Sequence, residues 1–282
     1  MYKVSESEVN IIRVQASEAN QSVQDILAVE EPLEIRLVYG PAENRNTKSI
    51  SITMRTPGHD LELATGFLFT EGIINQYDEI HKISHSPSLL NPENILLVEL
   101  KEHILPDMIK LERNFYTTSS CGVCGKASIE AVKTTGNLSK LSNEKTILIN
   151  KTIFYSLPDR LRQHQDVFET TGGLHASALF DLNGNLISVR EDVGRHNALD
   201  KLIGYSLTQG ILPLNAHILL LSGRASFELV QKAAMAQIKI IAAVGAPSSL
   251  AVEMARDFGI TLIGFLRDRR FNVYSGSERI SD

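Results

Sequence analysis

The chain has 282 residues, enough for one large domain or two small ones with a substantial core and no need of disulfides. A composition of 43% hydrophobic and 22% charged residues excludes a disordered, collagen-like or coiled-coil chain. With 28 basic against 33 acidic side chains, the net charge of -5 excludes general nucleic-acid binding through excess Lys and Arg. Residues 1–30 read as polar and aperiodic, with an end that frays. Leu33–Tyr39 and Ser49–Met54 alternate apolar and polar and read as strands, joined by a loop at Gly40-Pro41. Thr56-Pro57-Gly58 breaks the chain, Asp60 caps a helix through Phe69, and Gly72 stops it. Ile95–Leu100 is a further strand, completing a small α/β lobe over residues 1–113.

Residues 114–125 form a Thr/Ser/Cys/Gly loop, read as mobile, and open a second unit over 126–282. Ala127–Lys133 reads as a helix ended by Gly136, 137–150 as linker, and Ile153–His164 as another helix. Leu174–Asp181 and Asn185–Arg190 are strands of a hairpin turned at Leu182-Asn183-Gly184. Arg195–Leu207 is a helix. Then strand His217–Leu221, helix Ala225–Gln237, strand Lys239–Val244, helix Ser248–Phe258 and strand Ile260–Phe265 alternate, which implies parallel βαβ units. Met1–Asn20 lacks a basic then apolar leader, and the runs Ile218–Leu221 and Ile238–Val244 are too short to span a bilayer. The expectation is a soluble cytoplasmic protein with no membrane partner.

Three segments carry candidate chemistry. The two cysteines form Cys121-Gly122-Val123-Cys124. A structural zinc site needs four ligands, and neither a second Cys pair nor a convincing His pair is present beyond His81 and His85, so no metal is expected. A thioredoxin-like redox pair and two buried structural cysteines are alternatives. A nucleophilic thiolate fits best, because the slim loop feeds a helix start near Lys126, where an anion is favoured.

The second segment is the set of loops after the last three strands. Ser222-Gly223-Arg224-Ala225-Ser226, Gly245-Ala246-Pro247-Ser248-Ser249 and Leu266-Arg267-Asp268-Arg269-Arg270 would lie at one sheet edge, where α/β sheets bind ligands. Helix starts with four arginines suit a phosphorylated ligand. The alternative is a solvated arginine cluster, and there is no P-loop or G-x-G-x-x-G. The third segment is Glu191-Asp192-Val193-Gly194-Arg195-His196-Asn197-Ala198-Leu199-Asp200-Lys201. Asp192 either orients Arg195 or His196, or caps the helix above an exposed charged face around Asp200. His175 reads as a packing residue.

These segments, with Thr171-Gly172-Gly173-Leu174-His175-Ala176 and Gly66–Ile74, resemble the formate dehydrogenase accessory sulfurtransferase (FdhD) family, in order over residues 30–280. The resemblance implies persulfide sulfur taken from a cysteine desulfurase and passed to the molybdenum of bis-molybdopterin guanine dinucleotide for the formate dehydrogenase catalytic subunit. It places the persulfide on Cys121, with Cys124 as a second sulfur site or a resolving thiol. It places cofactor binding on Phe265, Leu266, Arg267, Asp268, Arg269 and Arg270, to which the strand-end reading adds Arg224 and Ser222. It also implies a homodimer and a C-terminal lobe similar to cytidine deaminases. Zinc-dependent deamination is not expected, since His175-Ala176-Ser177 lacks the required Glu and Cys121 follows Ser120 rather than Pro. A cofactor chaperone with incidental cysteines is the other alternative.

Overall fold

The computed structural model describes residues 5–86, 91–106 and 147–282. The cysteine loop, the Ala127–Lys133 helix and most of the linker lie outside the described residues. The mixed α/β class is borne out.

Six strands make the larger sheet: β8 (His175–Asp181), β9 (Leu186–Asp192), β10 (His217–Leu221), β11 (Ile240–Ala243), β12 (Thr261–Arg267) and β13 (Arg270–Ser275). Their order is β13-β12-β11-β10-β8-β9. Strands β10, β11 and β12 run parallel, as the alternation of strands and helices requires. They are covered on both faces, so Ile218–Leu221 and Ile240–Ala243 are apolar throughout rather than alternating. Helix α2 (Lys151–Arg162) inserts Phe154, Leu157 and Leu161 against one face, beside Ala178, Phe180 and Leu220. Helices α4 (Arg195–Thr208), α5 (Phe227–Met235) and α6 (Ser249–Asp257) cover the other, with Leu199, Leu202, Val230 and Met254 packed on Leu179, Leu219 and Ile241. A short helix α3 (Asp166–Thr171) precedes β8.

The smaller sheet has four strands, β3 (Glu31–Tyr39), β4 (Asn46–Arg55), β5 (Ile80–His85) and β6 (Ile95–Leu100), in the order β4-β3-β6-β5. Leu33, Ile35, Leu37, Leu96 and Val98 face helix α1 (Asp60–Thr70), which lays Leu63, Ala64 and Leu68 on them. Each such fully buried Leu or Ile contributes about 1.5–3 kcal/mol of transfer free energy. The opposite side of α1 packs on α4. A Cβ on Gly66 would sit 1.9 Å from the Asp200 oxygen, and one on Gly204 1.9 Å from the Glu62 oxygen. Only two glycines facing each other let these helix backbones touch.

Several local readings are corrected. Residues 6–28 are an antiparallel hairpin, β1 (Glu6–Arg13) with β2 (Gln21–Ala28). Its charged residues and the adjacent Ile11-Ile12 hide the two-residue period. Asp60 does not cap α1. His59 holds the cap position, and both Asp60 oxygens accept from the buried Arg55 guanidinium, at 3.0 and 2.9 Å. The last parallel strand does not end at Phe265. It bulges there, continues to Arg267 and returns as β13, so the basic segment is the tip of a hairpin. Strand β5 and the short pair β7 (Ile149–Asn150) with β14 (Ile280–Ser281) were not legible either.

Candidate anion-binding edge

The carboxyl ends of β10, β11 and β12 continue as three hydrogen-bonded loops. Gly245 N–H donates to the Gly223 oxygen at 3.0 Å, Ala225 N–H to Ala246 at 3.2 Å, and Phe265 N–H to Gly245 at 3.1 Å. The approach is close: a Cβ on Gly245 would lie 3.0 Å from the Gly223 oxygen and the Arg224 nitrogen. These bonds bring the three predicted loops together on one edge. The amino ends of β8 and α4 and the carboxyl end of β9 lie there too, since Leu221 pairs with Ser177 and His175 with Asp192.

The hydroxyls on this edge differ in use. Ser222 Oγ accepts from Ala176 N–H at 2.8 Å and seals β8 to β10. Ser248 Oγ accepts from Ala251 N–H at 3.2 Å and caps α6. Ser226 makes no such cap, and its Oγ lies 3.4 Å from His196 Nε2.

The arginines are exposed at the tip. Arg267 and Arg270 face each other across β12 and β13, and the two residues between them, Asp268 and Arg269, have φ of 52° and 55°. A two-residue turn of this kind favours Asn-Gly, and left-handed backbone costs other residues about 1–2 kcal/mol each. Like charges directly opposite add to that cost. Among the described residues, Arg224, Arg267 and Arg270 have no acidic partner, while Arg269 lies 5.9 Å from the Tyr155 ring centroid. Phe265 is half-buried and Leu266 fully buried in the core beneath the tip.

The Glu191–Lys201 segment divides in two. Asp192 orients neither Arg195 nor His196. Its carboxylate lies 2.7 Å from Lys201 Nζ and accepts from Thr56 N–H, Gly194 N–H and the Asn197 amide, because the buried ammonium one helical face away is its strongest partner. Asp200 is not on a solvated face either. It is buried and accepts from Lys232 Nζ at 2.9 and 3.0 Å and from Thr70 Oγ1 at 2.9 Å. Burial works against the Lys232 charge, but Asp200 and Glu71 outweigh it and hold the ammonium above its usual value. Asp192, Asn197, Asp200 and Lys201 thus join the two sheets. Arg195 and His196 are left for the edge.

His196 Nε2 lies 3.5 Å from Glu228 Oε2. Burial would raise the Glu228 carboxyl, but His196, Ser226 and its own backbone N–H hold it below the usual carboxylate range. His175 packs beside Gly223, and burial, then Arg195 and His196, push its imidazole down toward the neutral form. Neither pairing was legible from spacing. Among the described residues there is no cluster of three His, Cys, Asp or Glu side chains fit to hold a metal. A cavity of about 420 Å³, lined by Phe69, Tyr77, Leu207, Leu212 and Met235, opens at the far ends of α4 and α5, away from this chemistry.

The fold is that of an α/β protein whose parallel strands end beside a cluster of arginines. Comparison with known proteins sharpens this. The profile of the FdhD/NarQ family matches residues 28–281. The sulfur carrier protein FdhD of Streptomyces avermitilis is 51% identical over 91% of this chain and 89% of its own. That of Mycobacterium tuberculosis is 45% identical over 95% and 97%. A crystal structure from Desulfotalea psychrophila, assigned as a formate dehydrogenase accessory protein, superposes with a TM-score of 0.73 at 25% identity, over 99% of this chain and 100% of that one. The chain belongs to the FdhD/NarQ family.

Proposed function

We propose that this protein is a sulfur carrier in formate dehydrogenase maturation, taking sulfur from a cysteine desulfurase on Cys121 and passing it to the molybdenum of bis-molybdopterin guanine dinucleotide. The observation that carries the reading is the 51% identity over nine-tenths of the chain to a protein named as a sulfur carrier. The edge supports the cofactor half of it. A guanine dinucleotide carries pyrophosphate, and Arg224, Arg267 and Arg270 offer forked donors with no acid to neutralise them among the described residues. In this reading the cofactor is the cargo, and the protein works as a cytoplasmic homodimer.

The sulfur step is an exchange. The Cys121 thiolate attacks the outer sulfur of the desulfurase persulfide, the sulfur–sulfur bond of the donor breaks, and the donor cysteine leaves as thiolate. The outer sulfur is then carried on Cys121 for delivery to the metal. Cys124 either accepts the sulfur in turn or attacks the persulfide, giving a disulfide and releasing sulfide.

Intact mass after incubation with desulfurase and cysteine tests this. A reductant-reversible gain of about one sulfur atom, absent from Cys121→Ala, is expected. No gain in the wild type would overturn the carrier reading. A Cys121→Ala protein that still matures formate dehydrogenase would make the protein a cofactor chaperone instead.

A further inference from the structure

We infer that the cavity where α1 meets the far ends of α4 and α5 binds a small organic cation, a primary amine on an apolar body, with Asp78 holding the ammonium group. The site is separate from the arginine edge, and the inference does not depend on the sulfur-carrier reading.

Three helices end at this cavity. Phe69 stands in the last turn of α1, Leu207 in that of α4 and Met235 in that of α5, and all three line it. Each helix C-terminus carries roughly half a negative charge, which a Lys or Arg in the last turn ordinarily answers. The last turns of α1 and α4 hold no basic residue. That of α5 holds Lys232, but its ammonium is buried and donates to Asp200 and Thr70 instead. The charged residue in the cavity wall is Asp78, whose carboxylate has no partner among the described residues. Three helix ends and a carboxylate thus set a negative potential that no described cation in the wall neutralises.

The rest of the wall suits an apolar body. The volume, about 420 Å³, lies in the range of small-molecule sites, which favour junctions between packed units. Leu207 is buried, and Phe69, Leu212 and Met235 are half-buried. The Tyr77 ring, 42% exposed, offers its face to a cation beside Asp78. Met235 adapts to apolar groups of varied shape. An anion would meet like charge at Asp78 and at all three helix ends. A neutral ligand would gain the apolar contacts but leave the carboxylate unanswered.

Isothermal titration of the full chain with phenethylamine, phenethyl alcohol and phenylacetate tests the inference, and methionine-methyl NMR locates the ligand. The amine is expected to bind at millimolar concentration and to shift the Met235 methyl signal, which is assigned by its loss in Met235→Leu. The alcohol should bind about fivefold more weakly, the worth of a cation held at a partly open site, and phenylacetate should not bind. Asp78→Asn alters an exposed side chain, so the variant should melt with the wild type while losing most of the preference for amine over alcohol. No binding of the amine at millimolar concentration, binding without a Met235 shift, equal binding of amine and alcohol, or a preference unchanged in Asp78→Asn would each overturn the inference. None of these outcomes touches the sulfur-carrier reading, which the mass measurement above decides.

Discussion

Lys201 Nζ lies 2.7 Å from Asp192 and donates to the Thr56 oxygen at 2.9 Å, with side chains 1% and 0% exposed. Removing one member of such a pair leaves an uncompensated buried charge. Lys201→Met is therefore expected to cost about 3–5 kcal/mol in urea unfolding. Glu62 offers a milder test. Burial would raise its carboxyl, but hydrogen bonds from Arg190 and His59 outweigh that and hold it at about 2, below its ordinary 4.5. A depressed carboxyl stabilises the fold above its unfolded value, and that stability is lost as pH falls toward the folded one. Between pH 4.5 and 2 the wild type should lose stability that Glu62→Gln has already lost. A denaturation series over that range should show a flatter acid limb in the variant. At this scale the sequence was partly readable. It marked Asp192, Asp200 and Lys201 as a motif. It did not show their partners, because Thr56, Thr70 and Lys232 are distant in the chain and no local spacing encodes them.

Helix α1 meets α4 glycine to glycine, and that contact sets how close the two sheets come. Gly66→Ala would force a methyl to within 1.9 Å of the Asp200 oxygen, so the helices must part. Overpacking usually costs about 1–3 kcal/mol, and a backbone obstacle belongs at or beyond the top of that range. A marked fall in Tm is the expected readout. The hairpin of β12 and β13 behaves oppositely. Arg267→Ala removes one of two like charges that face each other, so stability should hold or rise by about 0.2–1 kcal/mol. Its affinity for GDP should fall, since a hydrogen bond to a charged group is worth about 1.5–3 kcal/mol. A fall in stability with binding intact would argue that the arginines are structural. Elements with strong apolar runs, β10 to β12, were read with ends within one or two residues. Strand β13 was missed because Arg-Phe-Asn-Val-Tyr-Ser follows Asp268-Arg269, a turn with no glycine, so nothing announces the reversal and the alternation of Arg270–Val273 is too short to stand alone.

Across the whole molecule the two sheets share α1 and α4 between them. Leu207 of α4 belongs to the smaller sheet's core, and the buried Lys201–Asp192 and Lys232–Asp200 pairs sit where the halves meet. Unfolding should therefore be one cooperative transition, with far-ultraviolet dichroism and tyrosine fluorescence changing together. Two separated transitions would show that the halves stand alone. Among the described residues no helix is long and apolar enough to cross a membrane.

The sequence by itself determined the α/β class, the parallel strand–helix alternation, the basic strand-end loops and the family resemblance. All of these rest on short-range patterns of apolar, glycine and arginine residues. Tertiary structure decided which polar groups meet. It turned the Asp192–Lys201 segment into a buried joint, set Arg267 against Arg270, and brought Glu228 to His196 across 32 residues of chain. Burial strengthens such contacts by excluding water, and burial is a property of the packed molecule that no local pattern carries.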